Sequence, residues 1–277
     1  MNNLAKRTIS GVAFVIVTLA CLLLHPALYA VFALFVMSLM MAEFHRMAMG
    51  KEEYLLQRAL AIFSAAILFI LMFFHFGFGL PSRFISLAIL PVIALMISSM
   101  FVKDKTDFAK FCNIYTGYLY IAVPISLSNM IVFRSGEFSG LLFVCFFIII
   151  WCSDVGAYCV GTAFGQKPGR KKLCPDISPK KSWAGFWGGL FFAALAAVAM
   201  NYAGLVEFPL FHCVALGLIM NIGCVFGDLF ESQWKRFYGI KDSGNIIPGH
   251  GGMMDRFDSA LFAIPLGSVY LVSIGLI

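Results

Sequence analysis

The segment 249–259, GHGGMMDRFDS, places polar chemistry directly before the last apolar segment of the chain. It holds Asp255 and Asp258, three residues apart, and an earlier pair with the same spacing is Asp228 and Glu231. Residues three apart share a face when they are helical. Carboxylates suit hard divalent cations such as Mg²⁺, which also leave room for substrate phosphates. The spacing therefore predicts a metal and phosphate site, with solvated or ion-paired acids at helix ends as the alternative.

Asp154 lies within the apolar run IIIWCSDVGAYCVG. An ionisable residue inside an apolar span is costly to bury and indicates a functional role. Asp154 is therefore a further candidate metal ligand, and a hydrogen-bonded structural aspartate near the cytoplasmic end of its helix is the alternative.

Glycine and basic residues accompany the carboxylates. The run PGHGG (248–252) offers closely spaced backbone N–H groups that suit an anion, although a plain loop would have the same composition. We expect His250 to donate to a phosphate and not to transfer protons, because phosphoryl chemistry depends mainly on positioning and charge stabilisation. The neighbouring cations are Lys235, Arg236, Lys241 and Arg256.

Segment 162–182 carries six basic residues. It continues as SPKKSWAGFWGG into the next apolar run, and Ser178, Lys180 and Lys181 in it predict a second phosphate-contacting element. A patch for anionic lipids or a basic cytoplasmic loop is the alternative.

The composition of the chain indicates which kind of fold positions these residues. Of the 277 residues, 61% are hydrophobic and 12% are charged, and the mean hydropathy is +0.91. Soluble domains carry about 25% charged residues, so we predict an all-α polytopic membrane protein. The net charge of +6 then reflects basic cytoplasmic loops, and we expect no nucleic-acid partner.

Apolar runs near the length needed to cross a bilayer, about 20 residues, predict about nine transmembrane helices in a single membrane domain, 1–277. We expect the N-terminal spans within 1–133 and a catalytic C-terminal half, 140–277. The predicted spans are 8–24, 26–42, 59–79, 84–102, 113–133, 140–161, 183–204, 208–228 and 260–277.

The distribution of basic residues predicts the orientation, because Lys and Arg concentrate in cytoplasmic loops. With the N-terminus inside and the C-terminus outside, eighteen of the 20 Lys and Arg face the cytoplasm, and only Arg83 and Arg134 do not. Loops 162–182 and 229–259 are then cytoplasmic. Lys6 and Arg7 before an apolar run also resemble a signal peptide, but Leu28 stands where cleavage after Ala30 would need a small residue.

The run SQWKRFYGIKDSGNIIPGHGGMMDRFD, residues 232–258, resembles the signature of the phosphatidate cytidylyltransferases, or CDP-diacylglycerol synthases. The resemblance extends upstream through 226–232, 177–189 and 153–165. Trp234, Ala184 and Thr162 depart from residues usual in that family. The matching positions are Ser232, Lys235, Arg236, Lys241, Asp242, Gly244, Pro248, His250, Gly251, Gly252, Asp255, Arg256 and Asp258.

The resemblance implies that CTP and phosphatidate give CDP-diacylglycerol and pyrophosphate. It implies Mg²⁺, with room for a second cation, at Asp228 and Asp255, and Asp258, Glu231 and Asp154 are further candidate ligands. The expected catalytic residues are Asp228, Asp255, Lys241, His250 and Arg256. The expected substrate-binding residues are Ser178, Lys180, Lys181, Ser232, Lys235, Arg236, Asp242, Gly251 and Gly252.

The resemblance also implies a homodimer in a bacterial inner membrane, with the active site facing the cytoplasm, where the soluble nucleotide meets the lipid bilayer. A CDP-lipid synthase with another lipid-phosphate acceptor remains an alternative, because the signature does not decode the lipid-binding spans. A membrane transporter is the alternative from another class, and it predicts charge near the bilayer midplane and broken helices.

Overall fold

A computed structural model describes residues 3–50, 54–102, 108–246, 249 and 251–277. Ten α-helices occupy most of these residues. They are α1 (Asn3–Leu23), α2 (Pro26–Met49), α3 (Leu55–Phe78), α4 (Ile89–Met100), α5 (Phe108–Gly117), α6 (Val123–Val132), α7 (Leu141–Phe164), α8 (Trp183–Tyr202), α9 (Leu210–Phe237) and α10 (Met254–Ser273).

Shorter elements complete the described chain. A 3₁₀ helix (Ser82–Ala88) leads into α4, and a π-helical turn (Tyr118–Ala122) joins α5 to α6. Strands β1 (Lys172–Cys174) and β2 (Ser178–Ser182) pair antiparallel as a hairpin with an irregular register. The all-α prediction for the membrane spans is therefore confirmed, and the hairpin lies in the segment 162–182 that we expected to be a loop.

Seven helices of the described residues are long and apolar enough to cross a membrane. They are Pro26–Met49, Leu55–Phe78, Ser82–Met100, Lys110–Val132, Leu141–Phe164, Trp183–Tyr202 and Leu210–Phe237, and a shorter apolar helix covers Thr8–Leu23. Large apolar side chains such as Phe101 and Phe211 are exposed on the chain, as lipid-facing residues would be. These features confirm a polytopic membrane protein, and the count of nine spans stays a prediction.

Two helices extend beyond the predicted apolar spans into the polar segment 229–259, as the common faces of the acid pairs require. Helix α9 continues to Phe237, nine residues past the predicted end of its span, and α10 begins at Met254 and not at Ala260. Hydropathy marks only the apolar part of a helix. A helix can continue past that part when polar residues on successive turns pair, as Glu231 and Lys235 do.

The chain divides into two compact units, one of residues 1–139 with 242–256 and one of residues 140–241 with 257–277. The core of the first unit includes an aromatic cluster in which Tyr29, Phe69 and Phe73 are in contact. Segment 242–256, which we assigned from sequence to the C-terminal half, packs with the first unit.

In the second unit, α7, α8 and α9 pack closely through small residues. A Cβ on Gly161 of α7 would lie 3.3 Å from the Cα of Gly185 in α8, so the absence of side chains lets the two backbones touch. Helix α8 begins at Trp183, where the hydroxyl of Ser182 accepts the N–H of Gly185 at 3.2 Å. This cap fixes how β2 enters the helix, and β2 carries the predicted phosphate contacts.

Candidate active site

The C-terminal turns of α9 carry two acids of the second unit. Lys181 from β2 approaches the first of them, with its Nζ 2.8 Å from Asp228 Oδ2 and 3.3 Å from the carbonyl oxygen of Val225. The hydroxyl of Ser232 donates to Asp228 Oδ1 at 3.1 Å. The hairpin and the helix therefore bring a lysine, a hydroxyl and a partly exposed carboxylate together.

One turn further along α9, Glu231 is fully buried and accepts from Lys235 Nζ at 2.7 Å. Lys235 is itself 9% exposed, so this ion pair is largely removed from water. The ion-paired alternative from the sequence therefore describes Glu231, and the predicted common face of Asp228 and Glu231 on one helix is confirmed.

Asp258 of α10 joins this group of charges, just before the predicted start of the span at Ala260. The backbone of Asp258 touches α9 where Gly227 has no side chain, because a Cβ there would lie 2.5 Å from the Asp258 carbonyl oxygen. Burial and, to a smaller extent, the negative charge of Asp228 raise the pKa of the Asp258 carboxyl to about 6, while the Ser259 N–H and Lys235 oppose the rise.

Arg236 links the end of α9 to the hairpin. Its guanidinium is exposed and donates to the carbonyl oxygens of Ile177, directly before β2, and Ile240, both at 3.4 Å. Lys180 is exposed on β2, and its carbonyl oxygen accepts from the Gln166 side chain at 2.7 Å. The basic residues at this end of the second unit thus lie on two neighbouring elements.

In the first unit, Asp255 lies in the first turn of α10, and one of its oxygens accepts three hydrogen bonds. Asp255 Oδ2 receives the N–H of Ser243 at 3.0 Å, the hydroxyl of Ser243 at 2.9 Å and the N–H of Gly252 at 2.8 Å. A carboxylate with several donors on one oxygen is held in one orientation. The loop before α10, residues 242–253, therefore fixes the orientation of the Asp255 carboxylate.

The same loop contacts an acid of α2. Glu43 is 3% exposed and accepts the N–H groups of Met253 and Met254 at 3.0 and 2.8 Å. The Ser243 hydroxyl also lies 3.4 Å from Glu43 Oε2. Two carboxylates thus share the backbone donors of one short segment, Gly252 to Met254.

Sequence comparisons relate the chain to known proteins over most of its length. A sequence model of the cytidylyltransferase family matches residues 5–274. A Staphylococcus aureus (strain COL) protein named phosphatidate cytidylyltransferase is 38% identical over 195 residues, which cover 68% of this chain and 70% of that protein. A protein of the same name from Staphylococcus haemolyticus (strain JCSC1435) is 32% identical over 271 residues, 96% of this chain and 98% of that protein.

The chain belongs to the cytidylyltransferase family. A Bacillus subtilis (strain 168) protein named phosphatidate cytidylyltransferase agrees, with 36% identity over 180 residues that cover 65% of each chain. Together with the apolar helices, this membership makes the protein an integral membrane member of a family of cytidylyl-transferring enzymes.

The structure describes all but one of the remaining residues expected at the site from the family resemblance. Lys241, Asp242 and Arg256 are exposed, Ser178 is half-buried at the start of β2, and Gly251 adopts a positive φ of 83° beside Asp255. His250 lies outside the described residues. The Gly252 N–H donates to Asp255, so in this structure it serves the loop's own carboxylate, and a substrate contact by the two glycines stays a prediction.

Asp154 is exposed on α7 within the second unit. Its charge is close enough to interact with Cys224 of α9, one helical turn before Asp228. The neighbouring Ser153 donates to Asn221 of α9 at 2.8 Å, so this turn of α7 lies beside α9. A role in metal binding stays a prediction.

Sequence reasoning missed Glu43 and Ser243. Glu43 lies on α2, within the sequence MAEFHRM, just after the end of the predicted span 26–42. An acid that continues the helical pattern of an otherwise apolar segment was a usable signal, because such a residue needs polar partners. Ser243 follows the Lys241–Asp242 pair of the signature and carried no such signal.

The donor chemistry of the second unit fits a hard cation. Asp228 offers a partly exposed carboxylate beside Lys181, and Asp258 lies close enough to feel its charge, whereas Glu231 is buried and paired with Lys235. Among the described residues, no three Asp, Glu, His or Cys side chains are grouped closely enough to enclose a metal ion. Mg²⁺ commonly uses only one or two carboxylates together with water and substrate phosphate, so the carboxylate of Asp228 fits such an ion, and the identity of the metal stays a prediction.

Proposed function

We propose that the protein is a phosphatidate cytidylyltransferase that converts CTP and phosphatidate into CDP-diacylglycerol and pyrophosphate for phospholipid biosynthesis. The observation that carries this proposal is the match over 96% of the chain to a relative of that name. The signature residues 232–258 support it, because they combine carboxylates, basic residues and glycines at the end of an apolar helix.

In the proposed reaction a phosphate oxygen of phosphatidate attacks the α-phosphorus of CTP in line. A new oxygen–phosphorus bond forms, the bond from the α-phosphorus to the bridging oxygen of the β-phosphate breaks, and pyrophosphate leaves with the electron pair. Most of the catalysis is then positioning and charge stabilisation. No group of the protein needs to form a covalent intermediate.

The exposed cations of the chain would bind the phosphates of both substrates. We assign this role to Lys180, Arg236, Lys241 and Arg256, with His250 as a further donor and Ser178 and Ser232 as hydroxyl partners. Fixed cations stabilise charge that develops in the transition state. We assign Lys235 a structural role instead, because its ion pair with Glu231 stabilises the C-terminal end of α9.

We propose Asp228 and Asp255 as the Mg²⁺ ligands, with Asp258, Glu231 and Asp154 as further acids of the site. Mg²⁺, when bound, supplies a Lewis acid that neutralises charge on the α-phosphate and on the leaving pyrophosphate. In the first unit, the donors on Asp255 Oδ2 hold that carboxylate in one direction. In the second unit, Lys181 and Ser232 hold Asp228.

The activity test uses purified protein with CTP labelled in the cytidine moiety, phosphatidate and Mg²⁺. The expected result is a lipid-soluble labelled product, formed with stoichiometric pyrophosphate and lost on removal of the metal with a chelator. Other lipid phosphates, offered singly, serve as comparison acceptors. Labelled product from another acceptor and none from phosphatidate would replace the proposed substrate, and no labelled lipid from any acceptor would refute the cytidylyltransferase proposal.

The proposed topology has nine spans, with the N-terminus and the active site in the cytoplasm and the C-terminus outside. The support is the distribution of basic residues, eighteen of 20 on one side. Reporter fusions at Ile277 and within 231–259 are expected to report opposite sides of the membrane, and the same side for both would overturn the topology. The homodimer implied by the family resemblance is tested separately, by the mass of the detergent-solubilised protein.

A further inference from the structure

Glu43 is a buried acid. Its hydrogen bonds come from residues 243–254, which are about 200 residues away in the sequence. Its Oε1 accepts the Met253 N–H and its Oε2 the Met254 N–H, at 3.0 and 2.8 Å. Burying a carboxylate is costly without hydrogen bonds. The 3% exposed side chain is therefore held in place by the backbone that it binds, about 210 residues away.

These donors lie at the beginning of α10. The first N–H groups of a helix have no partners within the helix, and a side chain such as Ser, Thr, Asp or Asn usually accepts one of them. The residues before Met254 are Gly251, Gly252 and Met253, none of which has a capping side chain. Glu43 supplies the cap from α2, and its negative charge also suits the positive end of the helix dipole.

The segment that Glu43 caps is the same segment that orients Asp255. Three consecutive N–H groups are divided between the two acids, since Gly252 donates to Asp255 while Met253 and Met254 donate to Glu43. The Ser243 hydroxyl donates to Asp255 Oδ2 at 2.9 Å and lies 3.4 Å from Glu43 Oε2. A displacement of Glu43 would therefore move the donors that hold Asp255.

We propose that Glu43 is a positioning residue that orients Asp255 for binding the divalent cation, without itself touching the metal or either substrate. This inference rests on the proposed function, in which Asp255 is a metal ligand. Residues that orient metal ligands affect metal affinity although they do not bind the metal. Glu43 would act in this way through the backbone of residues 252–254 and through Ser243.

The test measures binding of Mn²⁺ to the purified full-length protein by electron paramagnetic resonance of the free ion, with no substrate present. Glu43→Gln keeps the size of the side chain but replaces one acceptor oxygen with an NH₂ group that faces an N–H donor. We expect Mn²⁺ to bind about 10- to 100-fold more weakly, as for other residues that orient metal ligands. The Mg²⁺ concentration for half-maximal activity should rise in parallel, and excess Mg²⁺ should restore much of the turnover.

Ser243→Ala is the second variant, because it removes one donor to Asp255 and leaves the Glu43 cap in place. Its expected effect has the same direction and is smaller. The matched controls are Glu137→Gln, an exposed acid of the first unit, and Ser64→Ala, a buried hydroxyl that donates to Leu60 of its own helix. Both controls should bind Mn²⁺ as the wild type does.

Hydrogen–deuterium exchange separates positioning from a general loss of stability. In Glu43→Gln the amides of residues 252–254 should exchange faster, while the exchange of α3 should be unchanged. Wild-type Mn²⁺ affinity in Glu43→Gln, or in Glu43→Asp if Glu43→Gln does not fold, would overturn the positioning role, because the shorter side chain also withdraws the carboxylate from Met253 and Met254. Failure of the proposed function gives a different result, because the wild type itself would then form no lipid-soluble cytidine product.

Discussion

Lys181 Nζ lies 2.8 Å from Asp228 Oδ2, so a lysine of the hairpin is the protein's own cation at a carboxylate proposed to bind Mg²⁺. The side chains of both residues are partly exposed, at 23% and 36%. Exposed pairs of this kind stabilise a fold by about 0–1 kcal/mol. The pair therefore contributes little to the stability of the fold. We infer that its main effect is to balance the negative charge of Asp228.

Lys181→Met tests this relationship. We expect the melting temperature to change little and kcat/KM for CTP to fall by about 10²-fold, the usual effect of removing one fixed cation or donor from a transition state. The control is Lys171→Met, an exposed lysine next to β1. Equal losses in the two variants would show that the overall charge of the hairpin matters and not the contact with Asp228.

Asp228→Asn and Asp255→Asn remove the charge of the proposed ligands while they keep the side-chain shape. Turnover should fall by about 10²–10³-fold in each variant, with near-normal amounts of folded protein in the membrane. The loss of turnover should be smaller in Asp258→Asn if Asp258 lies beside the metal ion without binding it. Near-wild-type turnover and an unchanged Mg²⁺ requirement in both variants would assign the acids to a structural ion-pair network instead.

The spacing of acids in the sequence predicted local geometry correctly, since Asp228 and Glu231 share α9 and Asp255 and Asp258 share α10. A period of 3.6 residues is a property of one helix and can be read directly from the sequence. The burial of Glu231 could not be predicted in this way, because it depends on which side of α9 is covered by other helices.

Glu43 shows the limit of sequence reasoning most clearly. Its partners Met253 and Met254 are about 210 residues away and contribute only backbone N–H groups. Backbone donors carry no sequence signal, so no pattern of residue types connects the two segments. The end of α9 at Phe237 was likewise not predicted, since hydropathy reports contact with lipid and not the end of a helix.

Glu231→Gln tests the buried ion pair of α9. Loss of one partner leaves the buried ammonium of Lys235 facing a neutral amide, and such a change costs about 3–5 kcal/mol. We expect a lower melting temperature in detergent and a smaller change in kcat than for Asp228→Asn. The double variant Glu231→Gln, Lys235→Met should recover much of the stability. A single variant as stable as the wild type would mean that the pair is solvated in the membrane.

Gly252→Ala tests the close contact between the loop and Glu43. A Cβ at position 252 would lie 2.6 Å from Glu43 Oε2 and 2.7 Å from Oε1, and it would also overlap the Ser243 hydroxyl. Glu43 would have to move away from the N–H groups of Met253 and Met254. Overpacking of this kind costs about 1–3 kcal/mol, so both the melting temperature and the affinity for Mn²⁺ should fall.

The comparison variant Gly136→Ala separates steric overlap from backbone strain. Gly136 has a positive φ of 79° and no atom within 4 Å of its Cβ position, so alanine there should lower stability and leave Mn²⁺ affinity unchanged. Residues in contact give non-additive effects. Adding Glu43→Ala to Gly252→Ala should therefore cost less than the sum of the single changes. Additive losses would show that Gly252 is needed for the conformation of the loop and not for its contact with Glu43.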